Sequence, residues 1–202
     1  MKKTVKFLLF AVLIYLVFFG CQIARDKSAL RNNVIRLHIV ANSDSKEDQA
    51  VKMLVKDAIV SYLQPQMEQL DSVAQAKTYI ENNLVELTEI ANAVLKSAQF
   101  QDTVTVSFCT ESFGRRDYDT FSLPSGAYES LLVEIGNGEG HNWWCVVFPT
   151  LCVPASTDGF QHTAVSSGFD HGLTKTLTRN GNYEIRFFVL DWLGKIENFL
   201  AF

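Results

Sequence analysis

The run Gly138-Glu-Gly-His-Asn-Trp-Trp-Cys-Val-Val-Phe-Pro-Thr-Leu-Cys-Val153 constrains this chain more than any other segment. A Trp needs a large apolar pocket for its ring and a partner for its N–H, so two adjacent ones demand a built environment. Cys145 and Cys152 flank Val-Val-Phe-Pro-Thr-Leu. In an oxidising compartment that spacing reads as a disulfide across a strand and the Phe148-Pro149 bend. Cys109 is then left over as a core thiol. Pairing of Cys109 with one of the other two is the alternative.

The compartment is read from the N-terminus. Lys2, Lys3 and Lys6 precede an unbroken apolar run from Phe7 to Phe19, closed by Gly20 and Cys21. That is the layout of a secretory signal. The run is shorter than the ~20 apolar residues of a comfortable membrane span. No clean Ala-x-Ala follows, so a signal peptide and an uncleaved signal anchor both stay open. Phe18-Phe19-Gly20-Cys21 has the outline of a lipoprotein box, with Cys21 as the acylated residue and two Phe ill suited to it.

The chain carries 18 basic and 22 acidic residues. Without the three N-terminal lysines, the acidic excess rises to about seven. Such a surface disfavours nucleic acid and anionic lipid as partners. The expected organisation is a signal peptide or anchor over 1–24, one exported domain over 25–154, and a variable extension over 155–202.

Val34 to Ala41 alternates. Ile35, Leu37, Ile39 and Ala41 share one face, which predicts a strand with one well-buried side. Ser45 with Asp48 three residues on predicts a helix cap. Val51, Leu54, Val55, Ala58, Ile59 and Tyr62 form that helix's stripe, and Pro65 is expected to end it. The spacing of Val73, Ala76, Ile80, Leu84, Leu87, Ala91, Val94 and Leu95 predicts one longer helix over 72–98. Strands follow at 103–109 and 128–135. Gly136–Gly140 reads as a hairpin loop and 143–148 as the returning strand. The region 155–182 reads as irregular, 183–190 as a strand, and Trp192 to Leu200 as a short amphipathic helix that either caps the core or presents its apolar residues to a membrane or partner. The fold class is α+β: a mainly antiparallel sheet with two long helices on one face and an irregular C-terminal extension.

The chemistry-bearing residues give little. Asn42-Ser-Asp44-Ser-Lys46 lacks the central Gly and terminal Glu of a calcium loop, and a helix cap explains it better. Gly136-x-Gly138-x-Gly140 precedes a strand and carries Glu139, which is wrong for a phosphate cradle. His38, His141, His162 and His171 show no metal-ligand spacing, so neither a metal nor another cofactor is expected. Cys145 with His38 as a thiol hydrolase pair is the enzyme alternative; a structural Cys145 is the simpler reading.

Two blocks carry a family resemblance. One is Ile35-Arg-Leu-His-Ile-Val-Ala-Asn-Ser-Asp-Ser45 with Glu47-Asp-Gln49. The other is Phe121-Ser-Leu-Pro-Ser-Gly-Ala-Tyr128 followed by Gly136 to Cys152. Both are similar to stage II sporulation protein R of endospore-forming Gram-positive bacteria. Thr150 stands where that family usually has a second Pro. The resemblance implies a non-enzymatic signal, exported from the forespore into the intermembrane space. There it is needed to activate a membrane-embedded aspartic protease of the mother cell, which processes pro-sigma-E. A ligand-type protein of this kind presents a surface. The expected partner-binding residues are His38, Asn42, Asp44, His141, Asn142, Trp143 and Trp144, on the loop-rich ends of rigid elements. An envelope lipoprotein attached through Cys21 is the third reading.

Overall fold

A computed structural model describes residues 2–152, 157–166, 169, 171–178 and 185–200. The apolar N-terminal run is the first part of one helix, α1 (Lys2–Asn33), which feeds directly into β1 (Ile35–Val40). The Ser45 cap forms as expected: its Oγ accepts from Asp48 N at 3.0 Å, and α2 runs Lys46–Met67. Pro65 does not end α2. It sits inside the last turn, and the helix closes two residues later with Glu68 N donating to Gln64 O.

The long second helix is broken. It forms α3 (Val73–Asn82) and α4 (Leu84–Ser97), interrupted at Asn83. The Asn83 side chain donates to Tyr79 O at 2.7 Å and accepts from Tyr62 Oη at 3.1 Å. An Asn that bonds local backbone competes with the helix ladder. The expectation of two long helices on one face is therefore not confirmed.

The strands that follow are β2 (Val104–Phe113), β3 (Arg116–Asp117), β4 (Ser122–Leu123), β5 (Gly126–Ile135) and β6 (Asn142–Phe148). The main sheet has the order β2-β5-β1-β6. It is mostly antiparallel, with one parallel pair between β1 and β5. Gly136–Gly140 is consequently no hairpin loop. β5 and β6 lie on opposite sides of β1, and the glycine loop crosses over the end of β1. Gly136 and Gly138 take φ of +58° and +65° there, the left-handed turns only glycine adopts cheaply.

Both faces of β1 are covered, not one. Ile35, Leu37 and Ile39 pack with Val51, Val55, Ile59, Leu87 and Ala91 from the α2–α4 side. Val34, Val146, Phe113 and Tyr128 form a second cluster with Ile23 and Leu30 of α1 and with residues of α6 (His171–Leu177) and α7 (Ile185–Leu200). The stretch read as irregular thus holds α6 and α5 (Thr157–Ser166). The expected strand over 183–190 is helical from 185 to 190; 183 and 184 lie outside the described residues.

The second layer explains the fate of Arg36. Alternation put it on the less-buried face of β1, yet it is 0 % exposed. Its guanidinium lies 3.9 Å from the Phe113 ring centre, and Nη2 donates to Tyr118 Oη at 3.0 Å. Burial lowers its pKa from the ordinary arginine value, with Tyr118 and Tyr128 partly opposing that shift.

Candidate functional site

The candidate residues gather where β1 ends and β6 begins, in two adjoining clusters. The first is the corner after β1. Asn42 Oδ1 accepts from Asn137 N at 3.0 Å, and its Nδ2 donates to Asp48 Oδ2 at 3.1 Å. Ser43 Oγ donates to the same Asp48 oxygen at 2.5 Å. These bonds, Ser43 first, hold the Asp48 carboxyl below its ordinary value against the opposing effect of burial. Asp44 Oδ1 accepts from His141 N at 2.6 Å and from the His141 ring Nδ1. Hydrogen bonding by the His141 side chain, then by its backbone, lowers the Asp44 carboxyl. Lys52 Nζ donates to His141 O at 2.9 Å and to Gln49 Oε1 at 2.6 Å.

The backbone completes this corner. Gly140 N donates to Ala41 O at 2.8 Å and Glu139 N to Asn42 O at 3.2 Å. A Cβ on Gly140 would stand 2.3 Å from the Ser43 carbonyl oxygen, so only glycine permits this approach. The loop from Gly136 to His141 is thereby fixed to the corner from Asn42 to Asp48, and His141 stays largely exposed at its tip.

The second cluster is aromatic. His38 and Trp144 face each other across the β1–β6 register, with ring centres 5.7 Å apart and nearly parallel. The Arg116 guanidinium covers the other face of Trp144 at 3.4 Å. His38 Nδ1 pairs with Glu111 Oε1 at 2.9 Å, and Nε2 lies 3.0 Å from Asn142 Oδ1. Burial pushes the Glu111 carboxyl up, but the His38 bond and the nearby Arg36 charge outweigh it and leave it below the ordinary value. Both ring nitrogens of His38 are thus engaged, one by Glu111 and the other by Asn142.

Trp143 points the other way. Its ring packs toward the α2–α4 core with Lys56 Nζ at 5.2 Å, and its buried Nε1 finds no acceptor among the described residues. Trp143 and Trp144 are both half-buried, and both line a groove of about 410 Å³ with Tyr118, Lys56, Leu151 and Cys152. His38, Asn142 and Trp144 are thus brought together, as are Asn42, Asp44 and His141; Trp143 stands apart on the opposite face.

Cys145 and Cys152 are bonded, seven residues apart. That removes the thiol hydrolase pair on two grounds. The Cys145 sulfur is already in a disulfide, and Cys145 pairs with Leu37, one residue out of phase with the His38–Trp144 face. Cys109 is a half-buried free thiol rather than a fully buried one; burial raises its pKa, which disfavours the reactive thiolate. Cys21 is exposed on α1. Among the described residues no group of three His, Cys, Asp or Glu side chains converges as a metal site.

Glu111, Arg116, Asn137 and Lys52 are site neighbours that sequence reasoning did not single out. Glu111 shares the alternation of Cys109 and Phe113, which places it on a strand face. Nothing local says that its side chain reaches across β5 to His38.

The family model of stage II sporulation protein R matches residues 31–158, a range that holds both clusters and the disulfide. The stage II sporulation protein R of Bacillus subtilis (strain 168) is 28% identical over 228 residues, covering 97% of this chain and 99% of that one. No solved structure matches. The chain belongs to the stage II sporulation protein R family.

Proposed function

We propose that this protein is the exported intercellular signal of endospore formation, delivered from the forespore to the intermembrane space. There it enables a membrane-embedded aspartic protease of the mother cell to process pro-sigma-E. The family membership over residues 31–158 is the observation that carries this reading. The apolar start of α1 and the Cys145–Cys152 disulfide support an extracytoplasmic location.

The chemistry of the site supports a binding role. His38 is held between Glu111 and Asn142, and Cys145 is in a disulfide, so the groups that would act as base and nucleophile are structurally committed. What the site offers outward is a rigid rim. His141, Asp44 and Asn142 stand at its edge, and Trp144 lies clamped between His38 and Arg116. Aromatic and polar anchors on a pre-organised element are the usual means of protein recognition.

The test replaces the endogenous family member of a sporulating host with this chain and follows pro-sigma-E processing by immunoblot. Processing is expected with the intact chain. His141→Ala, whose side chain is mostly exposed, is expected to fold, to be exported and to process poorly. Normal processing by that variant removes the rim from the contact surface. Normal processing in cells lacking the protein altogether overturns the functional reading.

A further inference from the structure

We propose that α7 is a membrane-interface helix: its outer apolar stripe rests on the lipid surface from which α1 emerges. This goes beyond the signalling reading and does not depend on it.

Three observations carry the proposal. First, α1 contains an uncharged stretch from Phe7 to Ala24, roughly 27 Å long at 1.5 Å per residue. That approaches a hydrocarbon core of about 30 Å. Its side chains from Phe7 to Phe18 are exposed, whereas Ile23, Asp26 and Leu30, further along the same helix, are buried in the folded domain. Among the described residues nothing covers the apolar half of α1, which thus leads out of the domain, and the other half is part of the core.

Second, α7 lies where that stretch ends. Asp26 accepts from Arg186 through both carboxylate oxygens at 2.5 Å. The next residue, Lys27, pairs with Glu197 at 2.9 Å. Arg186 and Glu197 stand about 16 Å apart along α7. Neighbouring residues on one helix that reach positions this far apart on another mean that α7 runs across α1. In the proposed arrangement α1 follows the bilayer normal, and α7, crossing it, lies along the membrane surface. Its level, at Asp26 and Lys27, is within one turn of the end of the uncharged stretch, the depth at which interfacial helices sit.

Third, the rotation of α7 is fixed so that its apolar stripe faces outward. Asp191 Oδ1 accepts from Ser125 N and Oγ at 2.9 and 2.8 Å. A Cβ on Gly194 would stand 1.6 Å from the Ser125 carbonyl oxygen. Asp191 and Gly194 therefore mark the face seated on the domain. Trp192, Ile196, Phe199 and Leu200 fall on the opposite side and are 53%, 37%, 81% and 75% exposed. An aromatic-rich stripe continuous with an exposed apolar span fits lipid. The acidic balance of the exported part means that attachment comes from apolar insertion and does not require anionic headgroups.

The experiment reconstitutes the full chain into phosphatidylcholine vesicles carrying brominated acyl chains, with bromines at shallow or deep positions, and measures Trp emission. Quenching is expected, stronger from the shallow bromines. Trp192→Phe is expected to abolish the quenchable component and leave the emission of Trp143 and Trp144. Phe199→Ser with Leu200→Ser, both at exposed positions, is expected to reduce quenching of Trp192 with the far-UV spectrum unchanged. Equal quenching in Trp192→Phe and the parent, or none in either, overturns the proposal. So does a detergent-solubilised dimer that shields Trp192 from both bromolipid and acrylamide, which would assign the stripe to a second copy.

Discussion

Replacing Gly140 with Ala tests whether the loop and the corner form one rigid unit. The added Cβ would meet the Ser43 carbonyl oxygen at 2.3 Å, its carbon at 2.6 Å and the Ala41 Cβ at 2.9 Å, where ordinary contact begins near 3.4 Å. Something must move by about 1 Å, and the first contact is backbone, which cannot rotate aside. The loop is held by Gly140 N to Ala41 O at 2.8 Å, Glu139 N to Asn42 O at 3.2 Å and His141 N to Asp44 Oδ1 at 2.6 Å. Losing one of these costs about 1 kcal/mol, and overpacking about 1–3 kcal/mol. The reduced entropy of the unfolded Ala chain returns under about 1 kcal/mol. The net expectation is a loss of about 1–3 kcal/mol, or a fall in Tm of roughly 2–12 °C for a chain of this size. Near-UV circular dichroism of the detergent-solubilised protein reads it, because Trp143 and Trp144 follow the loop in sequence. Gly114→Ala is the control, since a Cβ there meets nothing within 4 Å. If both variants melted alike, the corner would be compliant and the argument for a pre-organised rim would fail.

Other outcomes follow from the same coordinates. Asp48 has a folded pKa lowered chiefly by the Ser43 hydrogen bond, so its stabilisation is full above the unfolded carboxyl pKa and fades as pH falls through the folded one; thermal melts from pH 6 down to pH 2.5 should show a steeper acid loss in the parent than in Asp48→Asn, and parallel curves would refute the assignment. Cys145→Ala with Cys152→Ala opens a short loop and should cost about 2 kcal/mol by chain entropy, read as a shift in the denaturation midpoint; an unchanged midpoint would mean the crosslink constrains nothing. Gly194→Ala should unseat α7, because its Cβ would collide with the Ser125 carbonyl; the expected signs are faster proteolysis within 185–200 and loss of Trp192 signal anisotropy, and neither change would be seen if α7 docks elsewhere.

Local pattern made the secondary structure legible where one residue sets one event. Ser45 and Asp48 announced the start of α2, and the cap bond forms between them. Alternation placed β1 within a residue of its ends. Local pattern failed where a competing bond is invisible in one dimension. The apolar stripe from Val73 to Leu95 runs unbroken through Asn83, yet Asn83 turns its amide back onto Tyr79 O and splits the helix. Pro65 failed in the other direction. It was read as a stop, but α2 continues through it to Met67. The 183–190 region reads as a strand, yet its described part, 185–190, is helical. The helix is seated on Ser125 through Asp191 and Gly194, a long-range contact that local pattern does not show.

The site was half legible for a related reason. Asn42, Asp44, His141 and Asn142 were expected at loop ends, and the fold does bring them to one rim. The assumed route was wrong, because a hairpin would have put β6 beside β5. Instead β1 lies between them, and that insertion brings the candidate residues together. It sets His38 opposite Trp144 and Val40 opposite Asn142. It also forces the glycine loop over the end of β1, against Asn42 and Ser43. Gly136 and Gly138 make the turn with positive φ, but the sequence does not encode what the loop steps around. A strand covered on both faces carries the same signature. Arg36 looks like an outward-facing cation until α6, α7 and the end of α1 cover its face, and then it packs on Phe113 and bonds Tyr118. A charge buried this way is costly unless its surroundings are polarisable and hydrogen-bonding. The aromatic density of the chain therefore has a structural task beneath the exposed rim: Phe113, Tyr118 and Tyr128 carry the buried cation, and Trp144 lies between His38 and Arg116 above it.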